Sequence, residues 1–385
     1  MPRPRATTQV VIVDDSLTVR TILKRMVESG EKMEVTGTAS SAERAIALLR
    51  SSPAQVILLD LEMPGMGGLE ALPAILKAGA GAQVLVVSSL TQDGAEHTVS
   101  ALSMGAADTM LKPRPGGFNE EYRAQLLAKI RALGAGVDER AAVSPDDRVS
   151  SAAQVAAPSA TRIAEHHHYP SPAPTCPRTP ELIAIGASTG GIHALNVMLR
   201  ALPPHFDLPI LITQHLPASF IPVFARQIEM ACARPAVIAE EGTEIRRGEV
   251  AIATGHGHMI VRRVANRLVA GISTEPARSG CLPSVDPMLA SAAQACGGRV
   301  LAVMLSGMGR DGVEGAAELV ELGGAVFAQD AQSSAVWGMP GAVSKAGLAS
   351  YIAPPAALAA AIAAAIAAQT NRDATRSENT ALRQA

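Results

Sequence analysis

Aromatic residues make up only 2% of the 385-residue chain, with one Trp, three Tyr and five Phe. So few rings cannot build stacking platforms for bases, which argues against a single-stranded nucleic-acid binder. An excess of one charge is also missing. Lys and Arg number 33 against 35 Asp and Glu, for a net charge of -2 and a pI near 6.5. Nothing electrostatic therefore draws the chain to nucleic acid or to an acidic membrane surface. Cysteine is scarce: Cys176, Cys232, Cys281 and Cys296 show no CxxC spacing and no paired pattern. They read as reduced thiols of a cytosolic protein. Long apolar runs are absent as well. Residues 10–13 are too short for a signal peptide and end in Asp14-Asp15, and the alanine-rich stretch 356–368 falls short of the roughly 20 residues a bilayer requires. The expectation is a cytoplasmic protein with no membrane insertion and no nucleic-acid partner.

What is present is the composition of a folded protein, 48% hydrophobic and 18% charged, on a chain long enough for two full cores. From residue 8 to about 133, short β-branched runs (10–13, 56–59, 84–87, 109–111) alternate with amphipathic segments (17–28, 42–50, 95–104, 121–133). That alternation predicts parallel strands with crossover helices. From 134 to 180 the pattern gives way to Ala, Ser and Pro, with His166-His167-His168 near the end. This segment reads as a flexible linker, and the histidines as part of it. Strand–helix alternation resumes at 181, with strands at 182–185, 210–213, 250–253, 267–272, 300–305 and 325–328. Helices are predicted at 192–201, 221–230, 287–295, 313–322 and 356–368. The fold class is therefore α/β, two doubly wound parallel-sheet domains (8–133 and 181–370) joined by a flexible linker, with 371–385 a disordered tail.

Ligands of an open parallel sheet sit at the carboxyl ends of its strands. There the first domain gathers Asp14, Asp15, Asp60, Ser88 and Lys112. Three close carboxylates repel unless a hard dication joins them, and Mg²⁺ favours such oxygen ligands. A carboxylate beside Mg²⁺ can accept a phosphoryl group, while Ser88 and Lys112 can contact its oxygens. Either aspartate alone would more simply be a helix N-cap. The set as a whole, followed by Met63-Pro64-Gly65 and Lys112-Pro113, resembles a two-component receiver domain of flavodoxin-like fold. The resemblance implies Asp60 as phosphoacceptor, Asp14 and Asp15 as Mg²⁺-binding acids with the Glu62 carbonyl, Ser88 as switch hydroxyl and Lys112 as phosphate lysine. Receivers usually carry Tyr or Phe where this chain has Thr109.

In the second domain Gly186-Ala187-Ser188-Thr189-Gly190 fits G-x-S-x-G between a strand and a helix. Small flanking residues permit a sharp turn, and the helix start offers N–H groups to an oxyanion. A glycine-rich turn of this kind also suits a phosphate or a nucleotide. A serine nucleophile needs a base and an orienting acid. His215 ends the strand at 210–213 on the edge that carries Ser188; His193, His205, His256 and His258 are the competitors, the last two placed in a turn after 250–253. Asp311 follows the strand at 300–305 and opens a helix, ahead of Asp286 and Asp330 as the acid. The order Ser, His, Asp is not that of an α/β-hydrolase.

These segments, with Thr213-Gln214-His215, Pro283-Ser284-Val285-Asp286, Ser306-Gly307-Met308-Gly309 and Trp337-Gly338-Met339-Pro340-Gly341, resemble the catalytic domain of the chemotaxis protein-glutamate methylesterase (CheB) family, of Rossmann-like fold. The resemblance implies Ser188 as nucleophile, His215 as base and Asp311 as orienter, with Thr189 and Met308 beside the oxyanion. It implies a phosphorylation-regulated hydrolase that demethylates glutamate methyl esters on chemoreceptor cytoplasmic helices, releases methanol and deamidates specific glutamines. Its expected partners are methyl-accepting chemotaxis receptors and the chemotaxis histidine kinase as phosphodonor. Mg²⁺ is expected at the receiver, no cofactor for the esterase, and a monomeric chain. Two rival readings are a non-catalytic phospho-dependent adaptor and a small-molecule serine esterase.

Overall fold

The computed structural model describes residues 7–88, 91–113, 117–142 and 176–367. Most of the expected linker, with His166-His167-His168, and the tail from 371 lie outside the described residues. In the N-terminal domain β1 (Thr8–Val13), β2 (Met33–Ala39), β3 (Val56–Leu59), β4 (Gln83–Ser88) and β5 (Asp108–Leu111) alternate with α1 (Leu17–Glu28), α2 (Ala42–Ser51), α3 (Gly68–Ala78), α4 (Gln92–Met104) and α5 (Glu120–Ala142). The sheet is parallel throughout, in the order β2-β1-β3-β4-β5. Its central strands are apolar at nearly every position because helices cover both faces. Side chains alternate between those faces. Val10, Ile12, Leu58 and Leu85 join Leu23, Val27, Leu126 and Ile130 on one side, and Val11, Ile57, Leu59 and Val84 join Ala42, Leu49, Leu72 and Ile75 on the other.

Three features depart from the periodicity reading. Strand β2 is an edge strand whose middle residues are half exposed, so it lacks the apolar run that marks its neighbours. Helix α3 contains Pro73, a residue that argues against a helix interior. Helix α5 does not stop near residue 133 but continues to Ala142. A Cβ at Gly136 would come within 2.2 Å of the Ala335 carbonyl oxygen. The extension therefore lies against the second domain, and glycine is what lets the two backbones approach.

The C-terminal domain runs β6 (Leu182–Ala187), α6 (Gly191–Ala201), β7 (Ile210–Gln214), α7 (Ile221–Cys232), β8 (Ala236–Ala239), β9 (Val250–Ala253), β10 (His258–Val264), β11 (Arg267–Ser273), α8 (Val285–Ala295), β12 (Val300–Met304), α9 (Val313–Glu321), β13 (Ala325–Gln329), α10 (Met339–Lys345), β14 (Tyr351–Ala353) and a last helix, α11, over 355–367. Seven parallel strands lie in the order β14-β13-β12-β6-β7-β9-β8. From β6 the chain builds outward to one side, then returns to β12 on the other. Strand order thus reverses between β6 and β12, where such sheets form their binding crevice. The segment 267–272, expected among the sheet strands, instead pairs antiparallel with β10 as a separate hairpin against α8. Met259, Val261, Leu268 and Ala270 alternate into the core, so this hairpin covers it with one face, and the outer end of β10, Arg262, Arg263 and Val264, is exposed.

The two domains are in contact. Helix α4 packs on α6 and α7, and Ala95, Val99 and Leu102 belong to the same apolar cluster as Ile192, Leu195 and Phe224. His193 exposes its ring on α6 and meets the Ser103 carbonyl at 3.2 Å, while Arg226 pairs with Glu96 at 2.8 Å.

Candidate active site

Ser188 leaves the end of β6 in a turn held open by glycines. Gly190 has φ +76°, and a Cβ there would come within 2.7 Å of Ser306 Oγ. Opposite it, Gly307 comes so close to Ser188 that a Cβ would stand 2.9 Å from the serine Cβ. No larger residue fits either position, so both turns can press on Ser188. Backbone bonds lock the three loops together: Ser188 N–H donates to the Ser306 carbonyl at 3.0 Å and His215 N–H to the Ala187 carbonyl at 3.1 Å.

Within this frame Nδ1 of His215 lies 3.1 Å from Ser188 Oγ, and Nε2 lies 2.8 Å from Asp311 Oδ2. The ring is mostly buried and Asp311 almost wholly so. A carboxylate at Nε2 requires that nitrogen to carry the proton, which leaves Nδ1 as the acceptor facing the serine. Asp311 accepts two further bonds, from Ser284 Oγ at 2.5 Å and from the Val285 N–H at 2.7 Å. Burial pushes the Asp311 carboxyl up, but His215, Ser284 and Val285 together outweigh it and hold the group well below the usual carboxylate range. The acid therefore stays ionised at any working pH. A hydroxyl, an acceptor nitrogen and a fixed anion in line form the arrangement that acyl transfer requires.

The other sequence candidates are not bonded to His215. Asp286 accepts the Gly315 N–H at 2.8 Å, and burial raises its carboxyl to about 6. Asp330 accepts bonds from Ser333. Neither is bonded to His215. His205 and His256 are exposed. His258 is not in a turn, as the sequence suggests, but begins β10, fully buried. Its Nδ1 accepts the Ser284 N–H and its Nε2 donates to the Glu275 carbonyl, both at 2.9 Å. It stands behind the serine that holds Asp311. Ser284 is the participant sequence reasoning misses, its only signal being its place beside Asp286 in Pro283-Ser284-Val285; the same reasoning weighs His258 as the base but not as a support behind Ser284. Thr189 follows Ser188 and is buried; Met308 is 42% exposed at the rim of the facing turn.

The acidic pocket of the first domain forms as well. Asp14 and Asp60 are buried and Asp15 exposed, and a carboxylate oxygen from each lies within 4.8 Å of the others. Lys112 Nζ sits 2.6 Å from Asp60 and 3.0 Å from Asp14. Glu62 lies at the rim, its N–H donating to Asp60 Oδ1 at 3.0 Å. Burial raises the Asp60 carboxyl despite Lys112. The Ser88 and Thr109 hydroxyls are buried without hydrogen-bond partners. All-oxygen donors of charge this concentrated fit Mg²⁺, held by Asp14, Asp15 and Asp60; when bound, it would neutralise an incoming phosphoryl group.

Between the two sites the receiver grips the turn that follows Ser188. Asp108 Oδ2 accepts from Lys129 Nζ and from Thr189 Oγ1, both at 2.6 Å. The Ala107 carbonyl accepts the Gly190 N–H.

A receiver-type domain clasped to a hydrolase domain that aligns Ser188, His215 and Asp311 is the class of protein these features define. Residues 183–362 match the CheB methylesterase family model and residues 10–118 the response regulator receiver domain model. The chain is 39% identical to the protein-glutamate methylesterase/protein-glutamine glutaminase 1 of Paramagnetospirillum magneticum, over 90% of this chain and 93% of that one. It is 38% identical to the enzyme of the same description, without the numeral, from Azospirillum brasilense, over 90% and 89%. The crystal structure of the Thermotoga maritima CheB methylesterase catalytic domain aligns at 31% identity with a TM-score of 0.46, over 48% of this chain and 97% of that one. The chain belongs to the CheB methylesterase family, with a receiver domain in front.

Proposed function

We propose that this protein removes methyl groups from glutamate γ-methyl esters on the cytoplasmic helices of chemoreceptors, releasing methanol, and that it deamidates specific receptor glutamines by the same acyl chemistry. The observation that carries the reading is the aligned triad. Ser188 Oγ attacks the side-chain carbonyl as His215 Nδ1 takes its proton, and Asp311 stabilises the imidazolium at Nε2. The turns bearing Thr189 and Met308 flank the oxyanion. His215 then returns the proton to methanol or ammonia, and water hydrolyses the acyl-enzyme with the same base. The esterase step uses no cofactor. The catalytic roles fall to residues 181–370, those of phosphorylation to 8–133.

Asp60 accepts a phosphoryl group from the chemotaxis histidine kinase, with Mg²⁺ at Asp14, Asp15 and the Glu62 carbonyl. Ser88 and Lys112 bind the new phosphate. The unpartnered Ser88 hydroxyl supports that assignment, since a phosphate oxygen would satisfy it. Asp108 and Ala107, bonded to Thr189 and Gly190, support control through domain docking. The chain acts as a monomer in the cytoplasm; among the described residues no helix is long and apolar enough to cross a membrane.

The deciding experiment is methanol release from a methylated receptor fragment by wild type and by Ser188→Ala. The variant should bind the fragment but lose about 10³-fold or more of the rate, as triad serines do. Release above a tenth of wild type would move the nucleophile elsewhere. No release by wild type would favour an adaptor.

A further inference from the structure

One polar group beside the triad has no part in the reaction. Cys281 lies in the loop before α8, and its Sγ comes within 4.8 Å of a ring nitrogen of His215 and a carboxylate oxygen of Asp311, which satisfy the same bound with each other. The thiol is half buried and its nearest bond is a long one, 3.9 Å to the Ser279 carbonyl. Cys176 and Cys296, by contrast, are buried. Burial and the nearby charges of Asp311 and Asp286 push the Cys281 thiol up, so it is protonated at neutral pH and is no rival nucleophile.

We propose that His215, Cys281 and Asp311 form an inhibitory binding site for a thiophilic divalent cation, with Zn²⁺ as the fitting ion. A soft sulfur, an imidazole nitrogen and one carboxylate oxygen are the donor set that Zn²⁺ selects and that Mg²⁺ rejects. Tetrahedral Zn²⁺ with bonds of about 2.0 to 2.3 Å sets its donors roughly 3.3 to 3.6 Å apart. The triad contact of 2.8 Å therefore opens by about half an ångström while the thiol closes in. The Val285 N–H can still bond the Asp311 carboxylate, and water completes the tetrahedron.

The inhibition follows from the proton inventory. Cys281 binds as thiolate and releases one proton to solvent. His215 offers its Nε2 lone pair to the ion, so the ring proton moves to Nδ1. Ser188 then faces a donor instead of an acceptor, and no base remains to take its proton. The acidic pocket at Asp14, Asp15 and Asp60 is all oxygen and is kept filled with Mg²⁺, which separates the two sites.

The test is a Zn²⁺ titration of methanol release by the full chain, with saturating Mg²⁺ throughout, in wild type and Cys281→Ser. Without zinc the two should be equally active. Zinc should inhibit wild type, a chelator should reverse it, and the inhibition should weaken as pH falls because the thiol must lose its proton. Cys281→Ser should need about ten-fold more zinc or above. The effect on rate rests on the triad assignment, so a second readout is taken without substrate. Co²⁺ added to the full chain should give a near-ultraviolet thiolate-to-metal charge-transfer band that Zn²⁺ displaces and Cys281→Ser lacks. Equal zinc sensitivity of the two proteins, or a cobalt band that survives the substitution, would overturn the site.

Discussion

Asp311→Asn should cost far less than the same change in a triad whose acid is free to present either amide atom. The reason is the Val285 N–H, 2.7 Å from Oδ2. A backbone donor cannot turn away, so an amide there must place its oxygen at the Oδ2 position. That same oxygen then accepts the proton on His215 Nε2, and the tautomer with Nδ1 facing Ser188 survives. The amide nitrogen falls where Oδ1 was, toward Ser284 Oγ, and a hydroxyl can reverse from donor to acceptor. What is lost is charge. Two unit charges roughly 4 Å apart at an effective dielectric near 20 attract by about 4 kcal/mol, an upper figure of ~10³-fold in rate. Exchanging a charge-assisted for a neutral hydrogen bond costs about 1.5 kcal/mol, a lower figure of ~10-fold. The expected loss in kcat/KM is therefore ~10²-fold, between those limits. Asp311→Ala strands Nε2–H, Ser284 Oγ and the Val285 N–H together, and should lose ~10³-fold or more. The assay is methanol release from a methylated receptor fragment by both variants, with folding checked by circular dichroism. If Asn is as poor as Ala, to within about two-fold, the fixed-oxygen reasoning is wrong.

Other expectations can be checked with the same preparations. His215→Ala should be far more damaging than His258→Ala or His256→Ala; His256 is exposed, while His258 acts only through Ser284, so its loss should be intermediate. An active His215 variant beside a dead His258 variant would refute the triad. Asp286 has a folded pKa of about 6, above the ordinary 3.8, so between those values the native state binds more protons than the unfolded one. Its contribution to stability is thus present at low pH and lost as pH rises through 6. Wild type should lose melting temperature relative to Asp286→Asn over that window, and a constant difference between the two would contradict the shift.

Much of this was readable from the residues because chemistry and topology coincide. Asp14, Asp60, Lys112, Ser188, His215 and Asp311 all sit at carboxyl ends of apolar parallel strands, where short β-branched runs advertise both the strand and its end. Met33–Ala39 and Gly68–Ala78 hid for opposite reasons: the strand is a half-exposed edge, and the helix carries a proline. Helix α5 ran past its apolar periodicity because its last turns are held by contacts that leave no apolar stripe: Asp138 accepts from Gln55 Nε2 of the receiver, and Gly136 lies against the second domain. His258 was legible as a competitor but not in its place, since a buried histidine bonded to two backbone groups looks in sequence like any turn histidine near glycine. Ser284 carried no pattern of its own. Its role exists only because the loop before α8 meets the loop after β12, and that meeting is a property of the reversed strand order. The clasp of Asp108 on Thr189 was equally invisible, being a contact between domains that sequence treats as separate.

Phosphorylation at Asp60 should act on Ser188 by releasing that clasp. Asp60 is in one domain and the triad in the other, so its influence must run through the docked and undocked populations and can be no larger than the phosphate's differential affinity for them. The direct measurement is methanol release, side by side, from the full-length chain with and without a small acyl phosphate and Mg²⁺, from Asp60→Asn under the same conditions, and from a chain beginning at Glu181. The account predicts a low basal rate for the full chain, a clear rise with the phosphodonor, no rise for Asp60→Asn, and a rate for the truncated chain above the basal one. A truncated chain no faster than the unphosphorylated full-length protein would contradict it.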